Sequence, residues 1–295
     1  MRKFITRSIS AITMLAGIVA LFIFGGYALA GVLLVISCIG FWELSKACAC
    51  KSVVPGGERV PLPAKKKIDY LDIIGLITIV LYYGVMVFAQ DPVYQFMVVV
   101  CFVIAILFVY VFSFPKVEIG RIADISFSFL YCPVMLSFIY MTRQSEPYGK
   151  YLIWMILIGS WGCDTFAYLI GSAFGKRKVF PVLSPNKSLA GCIGGILASG
   201  IIGGVYGYFY VTPGLAKMGI EIPYLYLVLA AISMVGGVIG MLGDLVASGI
   251  KRNKGFKDYA KLIPGHGGVM DRFDSMISTA PAIYVLSLLL ILNNF

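Results

Sequence analysis

Long apolar runs, separated by short polar, glycine-rich or proline-containing breaks, extend along the whole chain. An α-helix needs about 17 to 25 mostly apolar residues to cross the hydrocarbon core of a bilayer. The runs predict nine spanning helices, near residues 8–25, 27–45, 71–89, 93–113, 123–142, 151–172, 188–210, 224–250 and 267–293. We therefore expect an all-α, polytopic transmembrane protein with two regions of membrane helices, at 1–122 and 123–295.

Composition supports the same fold class, because 60% of the 295 residues are apolar and only 13% are charged. The distribution of Lys and Arg tests the number of spans independently, since these residues accumulate in cytoplasmic loops. With the amino terminus placed in the cytoplasm, 21 of the 24 basic residues fall on the cytoplasmic side. Orientation and contact with anionic membrane lipids explain the net charge of +10, so a nucleic-acid partner is not needed.

Acidic residues of the amino-terminal half lie close to the predicted ends of spans. Glu43, Asp69, Asp72 and Asp124 share this placement. Side chains at the end of a span reach the interface with water, so we expect these four carboxylates to be solvated or interfacial. The amino-terminal half therefore offers few candidates for chemistry.

A dense group of ionisable residues and glycines runs from Asp244 to Ser275 and contains the only histidine of the chain, His266. An ionisable side chain at the centre of a spanning helix costs roughly 2.5 to 3.5 kcal/mol, and those that occur usually line a polar cavity or pathway. This segment is therefore the main candidate for chemistry.

Helical spacing places several of these polar side chains on common faces. Asp244, Ser248 and Lys251 are separated by four and then three residues, and Asp271 and Asp274 by three. The three aspartates form a plausible oxygen-ligand set for Mg²⁺, which usually keeps waters and substrate phosphates as further ligands. Nearby bases would neutralise a polyphosphate. Salt bridges at the membrane boundary would explain some of the same charges.

Two further candidate elements precede this segment. Asp164 lies inside the sixth predicted span with Tyr168 one turn later, and it either has a function or forms a hydrogen bond to a neighbouring helix. Lys187 and Ser188 come directly before a glycine-rich predicted helix. Free N–H groups and the helix dipole make such a position suitable for a phosphate, although an ordinary N-cap fits equally well.

The sequence reads S-G-I-K-R at 248–252, K-D at 257–258 and I-P-G-H-G-G-V-M-D-R-F-D at 263–274. We call residues 248–274 the signature segment, because it resembles the signature of the phosphatidate cytidylyltransferases (CDP-diacylglycerol synthases) of bacterial type. The likeness extends upstream through Asp244, Lys187 and Asp164. Ser188 stands where the family usually has Thr, and Ala190 where an acidic or amide residue is common.

The resemblance implies an enzyme, a nucleotidyltransferase of phospholipid biosynthesis. It would transfer CMP from CTP to phosphatidic acid, giving CDP-diacylglycerol and pyrophosphate with Mg²⁺ as cofactor. The residues implied in catalysis are Asp244, Lys251, Arg252, Asp271, Arg272 and Asp274. Those implied in nucleotide or phosphate binding are Lys187, Ser188, Ser248, Lys257, His266, Gly267 and Gly268. Asp244, Asp271 and Asp274 would hold the metal, and Asp164 would hold a second cation or orient a basic partner.

The resemblance also implies a homodimer in the plasma (inner) membrane, with the active site facing the cytoplasm. Two alternatives stay open from the sequence. One is a cytidylyltransferase that acts on another lipid phosphate. The other is an ion-coupled membrane transporter, which would give no reason for the Lys, Arg and Gly residues to cluster on one side.

Overall fold

The computed structural model describes residues 2–50, 68–89, 91–260, 262 and 267–292, with the backbone alone for residues 2–11. Within these ranges the chain forms nine helices. They are α1 (Arg2–Phe24), α2 (Gly26–Cys48), α3 (Tyr70–Phe88), α4 (Pro92–Ser113), α5 (Ile119–Gln144), α6 (Gly149–Phe174), α7 (Leu189–Ala216), α8 (Leu225–Asn253) and α9 (Met270–Leu292).

The helices α2 to α9 are each long and apolar enough to cross a membrane, which makes eight among the described residues. In α1, the residues whose side chains are described include a further apolar stretch, Ile12–Phe24. The expected fold class, a polytopic all-α membrane protein, is thereby confirmed. The total of nine spans and the cytoplasmic placement of the amino terminus stay predictions.

The chain divides into two compact units. The first consists of Met1–Ser137 and Ile250–Arg272, and the second of Phe138–Gly249 and Phe273–Phe295. Each unit is assembled from segments that are distant in sequence. The predicted division into amino-terminal membrane helices at 1–122 and carboxyl-terminal membrane helices at 123–295, the latter forming the catalytic region, stays a prediction.

Several helices begin at residues whose side chains satisfy free backbone N–H groups. Asp69 accepts a hydrogen bond from the N–H of Asp72 at the start of α3, and Asp72 accepts one from the N–H of Asp69 in return. Asp91 caps α4 ahead of Pro92, whose missing N–H is not needed in the first turn. Such caps fix where a helix starts, which hydropathy alone does not.

A buried charge network joins α2, α3 and α5 in the first unit. The guanidinium of Arg121 donates to the carboxylates of Asp69 at 2.9 Å and Asp72 at 2.7 Å, and to the backbone oxygen of Ser45 at 3.3 Å. Asp72 is completely buried and also accepts from the Ser45 hydroxyl. The expectation of a solvated or interfacial role was therefore wrong for Asp72, because three helices enclose it and Arg121 compensates its charge.

Small residues allow close helix packing in the second unit. A Cβ atom added to Gly203 would clash with Ser233, and one on Gly237 would lie 3.0 Å from the sulfur of Cys163. Between α6 and α7, a Cβ on Gly195 would lie 2.7 Å from the backbone oxygen of Cys163. Small side chains let helix backbones approach each other, which is how membrane helices gain much of their packing energy.

A short antiparallel strand pair, β1 (Lys178–Phe180) and β2 (Ser184–Ser188), lies between α6 and α7. The sequence analysis did not predict it. The register pairs Lys178 with Ser188 and Phe180 with Ser184. The pair therefore fixes the conformation of the segment that carries Lys187 and leads directly into α7.

The Arg121 network predicts a specific loss of stability. Replacing Arg121 with Met keeps much of the side-chain volume but removes the 2.7 Å ion pair with the buried carboxylate of Asp72, which should cost about 3 kcal/mol. We expect a clearly lower melting temperature of the purified protein in detergent. The control is Lys116→Ala, because Lys116 is exposed in the turn before α5. An Arg121→Met protein that melts like the Lys116→Ala protein would contradict the proposed role of the network.

Candidate functional site

A cavity of about 520 Å³ opens in the second unit between α6, α7, α8 and the strand pair. Its polar lining includes three charged side chains that the sequence analysis had selected, Asp164, Lys187 and Asp244. Lys178, Asn186, Tyr168, Ser172 and Ser188 add further polar groups. The volume lies in the range of small-molecule sites, which are roughly 300 to 1,000 Å³.

Lys187 is the central cation of this cavity. Its ammonium lies 2.6 Å from the carboxylate of Asp244 and donates to the backbone oxygen of Met241 at 3.3 Å. The side chains of Lys187 and Asp244 are 18% and 25% exposed, so a ligand in the cavity can reach both. Asp164 is held by a hydrogen bond from Ser275 and is close enough to Lys187 and Asp244 to interact with their charges.

Ser188 links the cavity wall to the start of α7. Its hydroxyl accepts a hydrogen bond from the N–H of Gly191 at 3.2 Å, which makes Ser188 the N-cap of the helix. A Cβ on Gly171 would lie 3.0 Å from this hydroxyl, and one on Gly175 would clash with it. Gly171 in α6 and Gly175 directly after it therefore let this part of the chain approach Ser188 closely. The ordinary N-cap that the sequence analysis named as an alternative is present.

A second polar cluster lies in the first unit and contains much of the signature segment. The ammonium of Lys251 lies 2.8 Å from the carboxylate of Asp271, whose side chain is only 3% exposed. The other oxygen of Asp271 accepts from the N–H groups of Tyr259 at 2.8 Å and Gly268 at 3.0 Å. Lys251 also lies over the ring of Tyr259, 5.4 Å from its centre. This carboxylate therefore ties α8, the following loop and α9 together.

The glycines of the signature segment are required by these contacts. Gly267 has a φ of +88°, a conformation that side chains with a Cβ rarely adopt, and a Cβ there would lie 2.9 Å from the carboxylate of Asp271. A Cβ on Gly268 would lie 2.5 Å from the carboxylate of Glu43. Glycine thus lets the backbone approach two acidic side chains.

The predicted site residues are divided between the two units. Lys251, Arg252, Lys257, Gly267, Gly268, Asp271 and Arg272 belong to the first, and Asp164, Lys187, Ser188, Asp244, Ser248 and Asp274 to the second. His266 lies outside the described residues. In the second unit the Ser248 hydroxyl lies 3.5 Å from the carboxylate of Asp244, which agrees with the predicted common face of α8.

The described residues contain no group of three or more His, Cys, Asp or Glu side chains arranged to hold a metal ion. Asp164 and Asp244, however, both line the cavity. Mg²⁺ commonly uses only one or two carboxylates and completes its shell with waters and substrate phosphates. These two oxygen donors fit that requirement. The predicted three-aspartate ligand set stays a prediction.

Sequence reasoning missed residues that the structure places in these clusters. Lys178 and Asn186 reach the cavity because the strand pair brings them together, with the Lys178 ammonium donating to the backbone oxygen of Asn186 at 3.2 Å. Glu43, expected to be solvated or interfacial, is 2% exposed and contacts the start of α9. An acidic residue inside a mostly apolar helix is the sequence signal that could have identified Glu43 as a buried, partnered residue.

The helices and the polar clusters together define the class: an integral membrane protein with a charged, ligand-sized cavity. The chain belongs to the cytidylyltransferase family, whose family model matches residues 5–290.

Similar curated proteins carry one name, phosphatidate cytidylyltransferase. The protein of Bacillus subtilis is 34% identical over 166 residues, covering 56% of this chain and 58% of that protein. The protein of Staphylococcus epidermidis is 37% identical over 153 residues, covering 52% and 55%. The protein of Staphylococcus aureus is 37% identical over 159 residues, covering 54% and 56%. The chain thus spans little more than half the length of these relatives.

The Lys251–Asp271 pair predicts a coupled effect of two substitutions. Replacing Lys251 with Met leaves the Asp271 carboxylate buried without a cation and should lower the free energy of unfolding by about 3 to 5 kcal/mol. Adding Asp271→Asn removes the unpaired charge and should recover part of the loss. The melting temperatures of both variants in detergent measure the loss of stability and its recovery. Equal melting of the single variant and the wild type, or no recovery in the double variant, would refute the coupling.

Proposed function

We propose that the protein is a phosphatidate cytidylyltransferase that transfers CMP from CTP to phosphatidic acid and releases pyrophosphate. The observation that carries the proposal is the cavity in the second unit, where residues upstream of the signature segment meet around Lys187 and Asp244. Membership of the cytidylyltransferase family and the shared name of the relatives support the same reaction.

The reaction needs little acid–base chemistry from the protein. A phosphate oxygen of phosphatidic acid attacks the α-phosphorus of CTP, and the bond from that phosphorus to the bridging oxygen of pyrophosphate breaks. The attacking phosphate is already anionic at neutral pH, so a general base is not required. Catalysis then rests on positioning the two anions and stabilising the charge of the transferring group.

Basic side chains supply that charge in this proposal. Lys187 is partly exposed in the cavity and would bind a phosphate of the nucleotide. Lys251, Arg252 and Arg272 would contact the transferring and leaving phosphates. Ser188, Ser248, Lys257, His266, Gly267 and Gly268 would complete the nucleotide site.

Magnesium is part of the proposal as the cofactor. Asp164 and Asp244 would hold it from the cavity, together with Asp271 and Asp274 as the sequence predicts. When bound, Mg²⁺ would neutralise phosphate charge and stabilise the pyrophosphate leaving group. The residues of the chain would orient the phosphates around these carboxylates and hold the lysines in place.

The proposed location is the bacterial inner membrane, with the active site facing the cytoplasm. CTP would arrive from water at the ends of the helices. The acyl chains of phosphatidic acid would stay in the lipid, and its headgroup would enter the site from the membrane surface.

Incorporation of labelled CTP into chloroform-soluble lipid tests the reaction. Purified wild-type protein in detergent should incorporate label only when phosphatidic acid and Mg²⁺ are both present. Asp244→Asn should lower the rate at least about a hundredfold, because it removes a charge from the cavity. Lys116→Ala, which changes an exposed lysine of the first unit, should retain the wild-type rate. Label that enters only a different lipid phosphate, or an active Asp244→Asn protein, would overturn the corresponding part of the proposal.

The orientation is tested by labelling single cysteines in intact cells. In a chain whose seven native cysteines are replaced by serine or alanine, Lys150→Cys should react with a membrane-impermeant maleimide and Lys116→Cys should not. Both side chains are exposed, so burial does not explain a difference between them. Permeabilised cells should label both positions. Labelling of Lys116→Cys in intact cells would reverse the proposed orientation.

A further inference from the structure

The start of α9 presents backbone N–H groups in a buried part of the first unit. The first N–H groups of any helix lack partners inside that helix and need other acceptors. Here the two carboxylate oxygens of Glu43 accept from the N–H groups of Val269 at 3.1 Å and Met270 at 2.9 Å. Glu43 belongs to α2, more than 220 residues earlier in the chain, and is only 2% exposed.

The same turn is closely packed around this contact. The carboxylate of Asp271 accepts a hydrogen bond from the N–H of Gly268, which immediately precedes Val269 and Met270. Gly268 itself leaves no room for a side chain beside the Glu43 carboxylate. The sulfur of Met270 lies 3.5 Å from the position that a Cβ on Gly40, one turn before Glu43, would occupy. The first turn of α9 thus rests directly on α2.

The end of α2, beyond Glu43, is held by two basic side chains. The ammonium of Lys254, in the signature segment, donates to the backbone oxygens of Cys48 at 2.7 Å and Cys50 at 2.8 Å. Arg121 donates to the backbone oxygen and the hydroxyl of Ser45. Glu43 therefore projects from a helix whose end is also held by contacts other than the one with α9.

We propose that Glu43 is a positioning residue of the enzyme: it fixes the first turn of α9 and thereby the placement of Asp271 and Arg272. A negative charge suits this task, because it satisfies two N–H groups and interacts favourably with the positive end of the helix dipole. The amino-terminal half thus acts on the chemistry through a backbone contact. This inference rests on the proposed function for its effect on turnover, but the contact itself is independent of it.

The test compares Glu43→Gln with Glu118→Gln in the full-length protein in detergent. Gln has nearly the same size as Glu but carries no charge and has one acceptor oxygen fewer. Glu118 is an exposed acidic residue of the same unit that makes no capping hydrogen bond, so Glu118→Gln makes the same charge change without the contact. Hydrogen exchange of residues 267–272 and steady-state kinetics with CTP are measured on both variants.

In Glu43→Gln, the amides of Val269 and Met270 should exchange more than about tenfold faster, with other helices unchanged. The kcat should fall by roughly tenfold to a hundredfold, because small displacements of reacting groups have effects of this size, while KM for CTP changes by less than about threefold. Glu118→Gln should match the wild type in every measurement. Unchanged exchange at Val269 and Met270, or faster exchange with wild-type kcat, would overturn the proposal.

A second variant keeps the test decisive if Glu43→Gln does not fold. Gly268→Ala introduces a Cβ against the Glu43 carboxylate and should produce the same local increase in exchange and the same fall in kcat. Its control is Gly84→Ala, since a Cβ on Gly84 meets no atom within 4 Å. Exchange that rises across all helices of both variants would indicate a general structural role and refute positioning. An inactive wild-type protein would refute the proposed function, while the exchange rates would still decide whether Glu43 holds the turn.

Discussion

The signature segment depends on the interactions of the buried carboxylate of Asp271. A charge removed from water is costly unless it is paired and hydrogen-bonded, and Asp271 has the Lys251 ammonium and two backbone N–H groups as partners. Those partners come from the end of α8, the loop that follows and the turn before α9. The carboxylate therefore joins three segments of the chain. The Lys251 ammonium is held further by the face of the Tyr259 ring, so the pair is enclosed on several sides.

Close helix packing holds elements of the second unit together, as the Lys251–Asp271 ion pair does in the first unit. The glycines of α6 and α7 let their backbones approach, so Asp164 and Lys187 reach the same cavity although they come from different elements. The strand pair then fixes the segment around Lys187, and α8 contributes Asp244. The ammonium of Lys187 is held between the backbone oxygen of Met241 and the carboxylate of Asp244. The packed apolar helices thus form the walls of the cavity, and the paired charged side chains give it a polar lining.

The order of the helices could be predicted from the sequence because hydrophobic runs and turn residues are local signals. The helix α2, for example, was expected at 27–45 and is found at Gly26–Cys48. The partners of buried charges could not be predicted in the same way. Glu43 and Asp72 were expected to be solvated or interfacial, yet each is enclosed by helices that lie far away in sequence. The strand pair was also missed, since its segments are short and Pro185 argues against a strand. The sequence analysis selected Asp164, Lys187 and Asp244, which line one cavity, because ionisable side chains in or beside apolar runs are costly and usually line a polar site.

The ion pair in the cavity bears on the proposed binding of CTP and Mg²⁺. Lys187 and Asp244 lie 2.6 Å apart, so each charge has the other as a partner. A polyphosphate alone would have to displace the Asp244 carboxylate from the lysine, and that carboxylate would lose its cation. A metal ion alone would do the reverse. If both bound together, as proposed, the phosphates would pair with Lys187 while the metal ion would pair with Asp244, and charge compensation would be preserved. The ion pair would therefore suit the proposed reaction, which needs the nucleotide together with its metal ion.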